Sequence, residues 1–77
     1  MCDFKKFINE LNNGFIFEFE YMKKQHKVSS FDNATYTVIS YTQDNYSHRL
    51  ERKIVNEEAL KEIFKDMENI TYFYLDN

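Results

Sequence analysis

The chain contains only one glycine and one cysteine, and it has no proline and no tryptophan. A single glycine excludes the glycine-rich loops that bring a backbone close to phosphate groups. The one cysteine, Cys2, excludes an internal disulfide. The sequence also lacks a run of about 20 apolar residues, which a membrane-spanning helix would need, and it lacks a secretory signal pattern. It therefore predicts a protein of the cytoplasm.

Aromatic residues are abundant, with 8 Phe and 6 Tyr among 77 residues. Each buried ring removes about 150–250 Å² of surface from water, which suits a short chain that must build a dense core. We expect one domain over residues 1–77. The net charge of −3 is too mild to indicate nucleic-acid binding.

Apolar residues recur with helical spacing at both ends of the chain. Asp3 is the predicted N-cap of a first helix from Phe4 to about Asn13. Asn56 is the predicted cap of a second helix from Glu57 to about Glu68, with two glutamates in its first turn. The two apolar stripes are Phe4, Phe7, Ile8 and Leu11, and Leu60, Ile63, Phe64 and Met67.

Alternating and β-branched residues predict strands between the helices. The predicted strands are Phe15–Tyr21, Thr35–Tyr41 and Tyr46–Ile54, the last two joined by a turn at Gln43–Asn45, and Ile70–Leu75 is a final strand or a packed tail. The polar segment Lys23–Asn33 is predicted as a loop that touches the core at Val28 and Phe31. The apolar phase slips between Val38 and Ile39, which indicates a bulge or partial cover of both faces.

These elements predict an α+β fold, an antiparallel three-stranded sheet with helices in the order α-β-β-β-α and a probable C-terminal β segment. The predicted core consists of Phe7, Leu11, Phe17, Phe19, Ile63, Phe64 and Met67. The apolar faces of the two predicted helices and the aromatic rings of the first predicted strand can be buried only against one another.

Residues that could carry catalysis or bind a metal are few and scattered. His26 and His48 are 22 positions apart, and neither has a ligand-like spacing to Cys2. No serine lies in a glycine-flanked elbow, and Glu18 and Glu20 are the polar side of a strand. We expect no enzyme activity, no cofactor, no metal and no small-molecule substrate.

Binding functions remain open. Arg49, Arg52 and Lys53 beside aromatic rings could hold a single-stranded nucleic acid on the sheet, but the acidic total and the needs of the core disfavour this. Tyrosines beyond what a small core hides favour protein contact, either with another protein or in a homodimer through an exposed sheet edge. The tyrosines concerned are Tyr36, Tyr41, Tyr46, Tyr72 and Tyr74.

Two stretches of the chain carry a family resemblance. The first runs from Asp3 to Asn13 and continues into Phe15. The second contains Asp66-Met67 followed by Ile70-Thr71, with Glu57-Glu58 before it. Together with the order of elements, these stretches resemble the small type II-A anti-CRISPR proteins of phages and prophages in low-GC Gram-positive bacteria.

This resemblance implies a protein that inhibits an RNA-guided DNA nuclease by mimicking DNA. In the family, acidic residues occupy the nuclease site where arginines otherwise read guanine edges. The positions here that match are Asp44 and Asn45 in the hairpin turn and Glu57 and Glu58 at the second helix start. The implied partner is a CRISPR effector in the bacterial host cytoplasm. This chain departs from the family in its mild charge and in the cationic Arg49, Arg52 and Lys53.

Overall fold

The computed structural model describes residues 3–32, 34–43 and 48–74. Its helices are α1 (Phe4–Asn12) and α2 (Glu57–Phe64), and its strands are β1 (Phe15–Tyr21), β2 (Lys24–Ser30), β3 (Thr35–Gln43), β4 (His48–Asn56) and β5 (Glu68–Tyr74). The five strands form one antiparallel sheet in the order β4-β3-β2-β1-β5. The α+β class is confirmed, but the sheet has five strands and not the predicted three.

Local residues define both ends of helix α1. The carboxylate of Asp3 accepts a hydrogen bond from the backbone N–H of Lys6 at 2.8 Å, which satisfies one of the free amides at a helix start. Gly14 follows the helix with φ of 100°, a conformation that glycine adopts without steric cost. Gly14 thus turns the chain directly into β1.

The polar segment after β1 forms a strand, so the predicted loop at Lys23–Asn33 is wrong. Strand β2 pairs with β1 through a two-residue turn, in which Met22 and Lys23 have φ of 52° and 64°. Such turns normally carry Asn-Gly or Asp-Gly, so Met-Lys gives no turn signal. The buried Val28 confirms one predicted core contact, whereas Phe31 is 61% exposed.

The hairpin of β3 and β4 is confirmed; β3 extends to Gln43, two residues further than predicted, and β4 runs from His48 to Asn56 instead of the predicted Tyr46–Ile54. Its register continues without interruption from Thr35↔Asn56 to Gln43↔His48. The predicted bulge between Val38 and Ile39 is therefore wrong. Val38 is buried on one face and Ile39 is half-buried on the other, which confirms the alternative of partial cover on both faces.

Helix α2 carries the chain across the sheet from β4 to β5. Asn56 caps it by accepting a hydrogen bond from the N–H of Ala59 at 2.8 Å. The helix ends at Phe64 and not near Glu68, because short-range bonds such as Met67 N–H to Phe64 C=O at 3.2 Å tighten its last turn. The chain then enters β5, which pairs with β1 and confirms the final strand.

Both helices pack against the same face of the sheet, which we call the covered face. The described core consists of Phe7, Ile8, Leu11, Phe17, Phe19, Val28, Tyr36, Val38, Val55 and Leu60. Phe7 lies at the centre, with ring centroids 4.6 Å from Phe17 and 4.8 Å from Phe64. The predicted core is confirmed for Phe7, Leu11, Phe17 and Phe19, while Ile63, Phe64 and Met67 are half-buried at its border.

Candidate functional site

Two of the predicted binding residues, Glu57 and Glu58, are exposed in the first turn of α2. The backbone dipoles of a helix place partial positive charge at this end and stabilise carboxylates there. Neither residue takes part in a salt bridge within the described part of the chain. Both carboxylates are therefore available to an external cation.

Glu57 acts electrostatically on a buried tyrosine, Tyr36. The Tyr36 hydroxyl donates a hydrogen bond to Asn12 Oδ1 at 3.3 Å, which joins the sheet to the end of α1. Burial raises the pKa of Tyr36 above its ordinary value, and the nearby charge of Glu57 raises it further, against the lowering effect of the Asn12 bond. The Glu57 carboxylate is thus close to a fixed, buried ring.

The loop between β2 and β3 brings a third carboxylate to the same end of the sheet. Thr35, which follows the loop, pairs with Asn56, the cap of α2. Asp32 accepts hydrogen bonds from the Thr35 hydroxyl at 2.7 Å and from the Ala34 N–H at 3.0 Å. These bonds lower the pKa of Asp32, the Thr35 hydroxyl having the larger effect, so this carboxylate stays ionised.

We call Asp32, Glu57 and Glu58 the acidic end. Phe31, whose side chain is exposed, belongs to the same loop, and its N–H donates to the Thr35 carbonyl at 3.0 Å. Sequence reasoning missed Asp32 and assigned Phe31 to the core. The signal was present in Asp32 and Thr35, because an aspartate three residues before a threonine commonly forms such a turn.

The other two predicted binding residues, Asp44 and Asn45, lie outside the described residues. The strands that they connect end at Gln43 and begin at His48. Strand β4 has nine residues, so its first and last residues are about 27 Å apart. Glu57 and Glu58 follow the far end of that strand. The acidic end is thus defined without the hairpin turn.

The face of the sheet away from the helices, which we call the open face, carries apolar side chains in solvent. Leu50 is 67% exposed, Ile54 45% and Tyr41 39%. Leu50 and Tyr41 are register partners, and they border a groove of about 390 Å³. The groove is also lined by Glu18, Gln25, His26, Lys27 and Ile39.

Charged residues of both signs frame that groove. Lys27 Nζ is 3.8 Å from Glu18 Oε1 in an exposed ion pair, and Arg52 lies in the same row of the sheet beyond Ile39. Exposed pairs of this kind contribute little stability. The open face is thus mixed in charge, unlike the acidic end.

The histidines do not form a metal site with the described residues. His26 stacks on Phe19 with centroids 5.4 Å apart, and its Nδ1 is 2.9 Å from the Lys24 carbonyl oxygen. His48 begins β4, and its side chain lies outside the described part. Within that part, no three His, Cys, Asp or Glu side chains lie close enough to hold a metal ion.

Comparisons with known proteins found no match to any protein-family model, curated protein or solved structure. Neither described helix is long and apolar enough to cross a membrane, since α1 has nine residues and α2 has eight.

Proposed function

We propose that this protein is a phage or prophage anti-CRISPR inhibitor that binds a CRISPR effector in the host cytoplasm through the acidic end and blocks DNA binding without catalysis. The observation that carries the proposal is that the exposed Glu57, Glu58 and Asp32 lie at one end of the sheet, at the pairing of Thr35 with Asn56, together with the exposed Phe31. Carboxylates at this spot suit a surface of arginines that normally reads DNA.

The chemistry of the acidic end supports a protein partner. An exposed aromatic ring at the same end of the sheet as several carboxylates has the composition of an interface hot spot, in which a ring enters a pocket and the charges set orientation. The hydrogen bonds to Asp32 lower the pKa of that carboxyl and favour its charged form. The acidic end therefore offers both an anchor and complementary charge.

The distribution of rings argues against the alternative of a nucleic-acid-binding sheet. Stacking on bases requires exposed rings on a sheet face. Phe17, Phe19 and Tyr36 are buried under the helices. On the open face, Tyr41 stands near Glu18 as well as Lys27, and the carboxylate repels phosphates.

The test is co-purification of the tagged protein with a type II-A effector, followed by a DNA-cleavage assay. We expect the wild type to inhibit cleavage and the Glu57→Lys/Glu58→Lys variant to lose at least tenfold in potency, because the reversed charges would face cations. Glu51→Lys/Glu68→Lys is the matched control, with the same charge change on exposed residues outside the acidic end. Phe31→Ala tests the anchor, and Asp44→Lys tests the hairpin turn separately.

Equal inhibition by the wild type and the Glu57→Lys/Glu58→Lys variant would contradict the acidic mechanism, as would equal losses in both double variants. An oligonucleotide-binding assay runs in parallel. Salt-sensitive affinity for single strands that disappears in an Arg49→Ala/Arg52→Ala/Lys53→Ala variant would favour the nucleic-acid alternative.

A further inference from the structure

The two edges of the sheet differ in charge. Edge strand β4 contains exposed Glu51, Arg52 and Lys53, and charges of this kind protect an edge against pairing with another strand. Edge strand β5 has a single charged residue, Glu68, at its first position, and none from Asn69 to Tyr74. The β5 edge thus lacks the charges of β4, and its irregularity is a register shift opposite Glu18–Glu20, where Asn69 has φ of 52°.

A groove of about 380 Å³ lies between α1 and this edge. Tyr72 is 62% exposed and Ile70 37% exposed along it. The Tyr72 ring is held by Phe15 and Phe17, with centroids 5.5 and 5.6 Å away. The edge therefore presents an ordered apolar row beside its unpaired backbone.

The groove carries one positive and one negative side chain, so two copies of it can match in charge. Lys6 and Glu10, one helical turn apart on α1, both line it. A two-fold axis beside β5 would place the two α1 helices antiparallel to each other. Such an axis would bring Lys6 of each copy toward Glu10 of the other, so that the charges across the axis are opposite in sign.

We propose that β5 pairs in antiparallel fashion with β5 of a second copy, so that the two sheets become one sheet of ten strands. Pairing centred on Thr71 sets Ile70 beside Tyr72 of the second copy. It separates the two Glu68 carboxylates by six residue steps, about 20 Å. Backbone hydrogen bonds, apolar contacts and charges are therefore all compatible with antiparallel pairing centred on Thr71.

The contact area expected for this dimer is small. One seven-residue strand and one helix face cover less than the about 800 Å² per partner of a standard interface. We therefore expect a dissociation constant in the micromolar range. Because Glu57 and Glu58 follow β4, the opposite edge strand, dimerisation leaves them exposed, and the two proposals can fail independently.

Sedimentation equilibrium over a range of concentrations is the test. The wild type should convert from monomer to dimer, and Tyr72→Lys should weaken dimerisation at least tenfold by adding like charges beside the axis. Leu50→Lys is the matched control, since its 67% exposure is close to that of Tyr72 but on the open face. Circular dichroism checks that both variants fold.

A charge exchange keeps the test sharp even where Tyr72→Lys does not fold. Lys6→Glu alone and Glu10→Lys alone should each weaken dimerisation, whereas the double exchange should restore it, a result that loss of folding would not give. A wild type that stays monomeric at millimolar concentration would overturn the proposal. A dimer weakened only by Leu50→Lys, or a monomer whose β5 edge binds only a foreign extended peptide, would overturn it as well.

Discussion

The covered and open faces of the sheet both carry apolar residues, yet only the covered face forms a core. On the covered face, Phe17 and Phe19 are 2% and 0% exposed, whereas on the open face Leu50 and Ile54 are 67% and 45% exposed. Strand β4 even turns most of its alternating apolar residues away from the helices. Alternation therefore shows that a strand has two faces, and the helices decide which of them is buried.

The largest expected effect separates the two faces by stability. Phe17→Ala should lower the free energy of unfolding by about 3–5 kcal/mol, because it leaves a cavity beneath Phe7. Domains of this size have little more stability than that. Urea denaturation followed by circular dichroism measures the change. Leu50→Ala is the control, and a loss as large as that of Phe17→Ala would contradict the assignment of the open face.

A smaller effect should appear at Tyr36, where the covered face meets α1. Tyr36→Phe removes the hydrogen bond to Asn12 and should cost about 0.5–1.5 kcal/mol. Because folding raises the pKa of Tyr36, the folded state holds the proton more tightly. That contribution to stability is complete below the ordinary pKa of 10.0 and is lost as the pH rises through the folded-state pKa.

Alkaline titration of unfolding checks this prediction. The wild type should lose more stability than Tyr36→Phe between pH values below and above the tyrosine pKa. Glu57→Gln should move the Tyr36 titration, followed by phenolate absorbance, toward lower pH. An unchanged titration in Glu57→Gln would contradict the proximity of that carboxylate to the ring.

The smallest effect on stability should come from the open face itself. Leu50→Thr/Ile54→Thr keeps β-compatible residues in solvent-exposed positions and should change the free energy of unfolding by about 0.5 kcal/mol or less per residue. Thermal melting measures it. A melting temperature lowered as far as in Phe17→Ala would show that the open face is covered in solution.

The elements that the sequence predicts correctly are those with local signals. Asp3 and Asn56 mark both helix starts through their caps, and the rings of β1 mark a half-buried strand. Strand β2 could not be predicted, because Lys24–Ser30 is mostly polar and its burial depends on Val28 alone. Without β2, neither the number of strands in the sheet nor its edge strands can be predicted.

The candidate site could be predicted only in part for a similar reason. Glu57 and Glu58 follow from the helix cap, which is a local pattern. Asp32 joins them through the pairing of Thr35 with Asn56, which connects residues far apart in the chain.

The Met22-Lys23 turn has a consequence for the order in which the protein folds. Left-handed backbone costs a non-glycine residue about 1–2 kcal/mol, so this turn opposes the hairpin of β1 and β2 while the chain is unfolded. We expect that hairpin to form after α1 has docked on β1, whose contacts are also close in sequence. One of the two strand pairings of the central strand β2 then forms late, and an Asn-Gly turn at these positions would change the folding pathway by letting it form early.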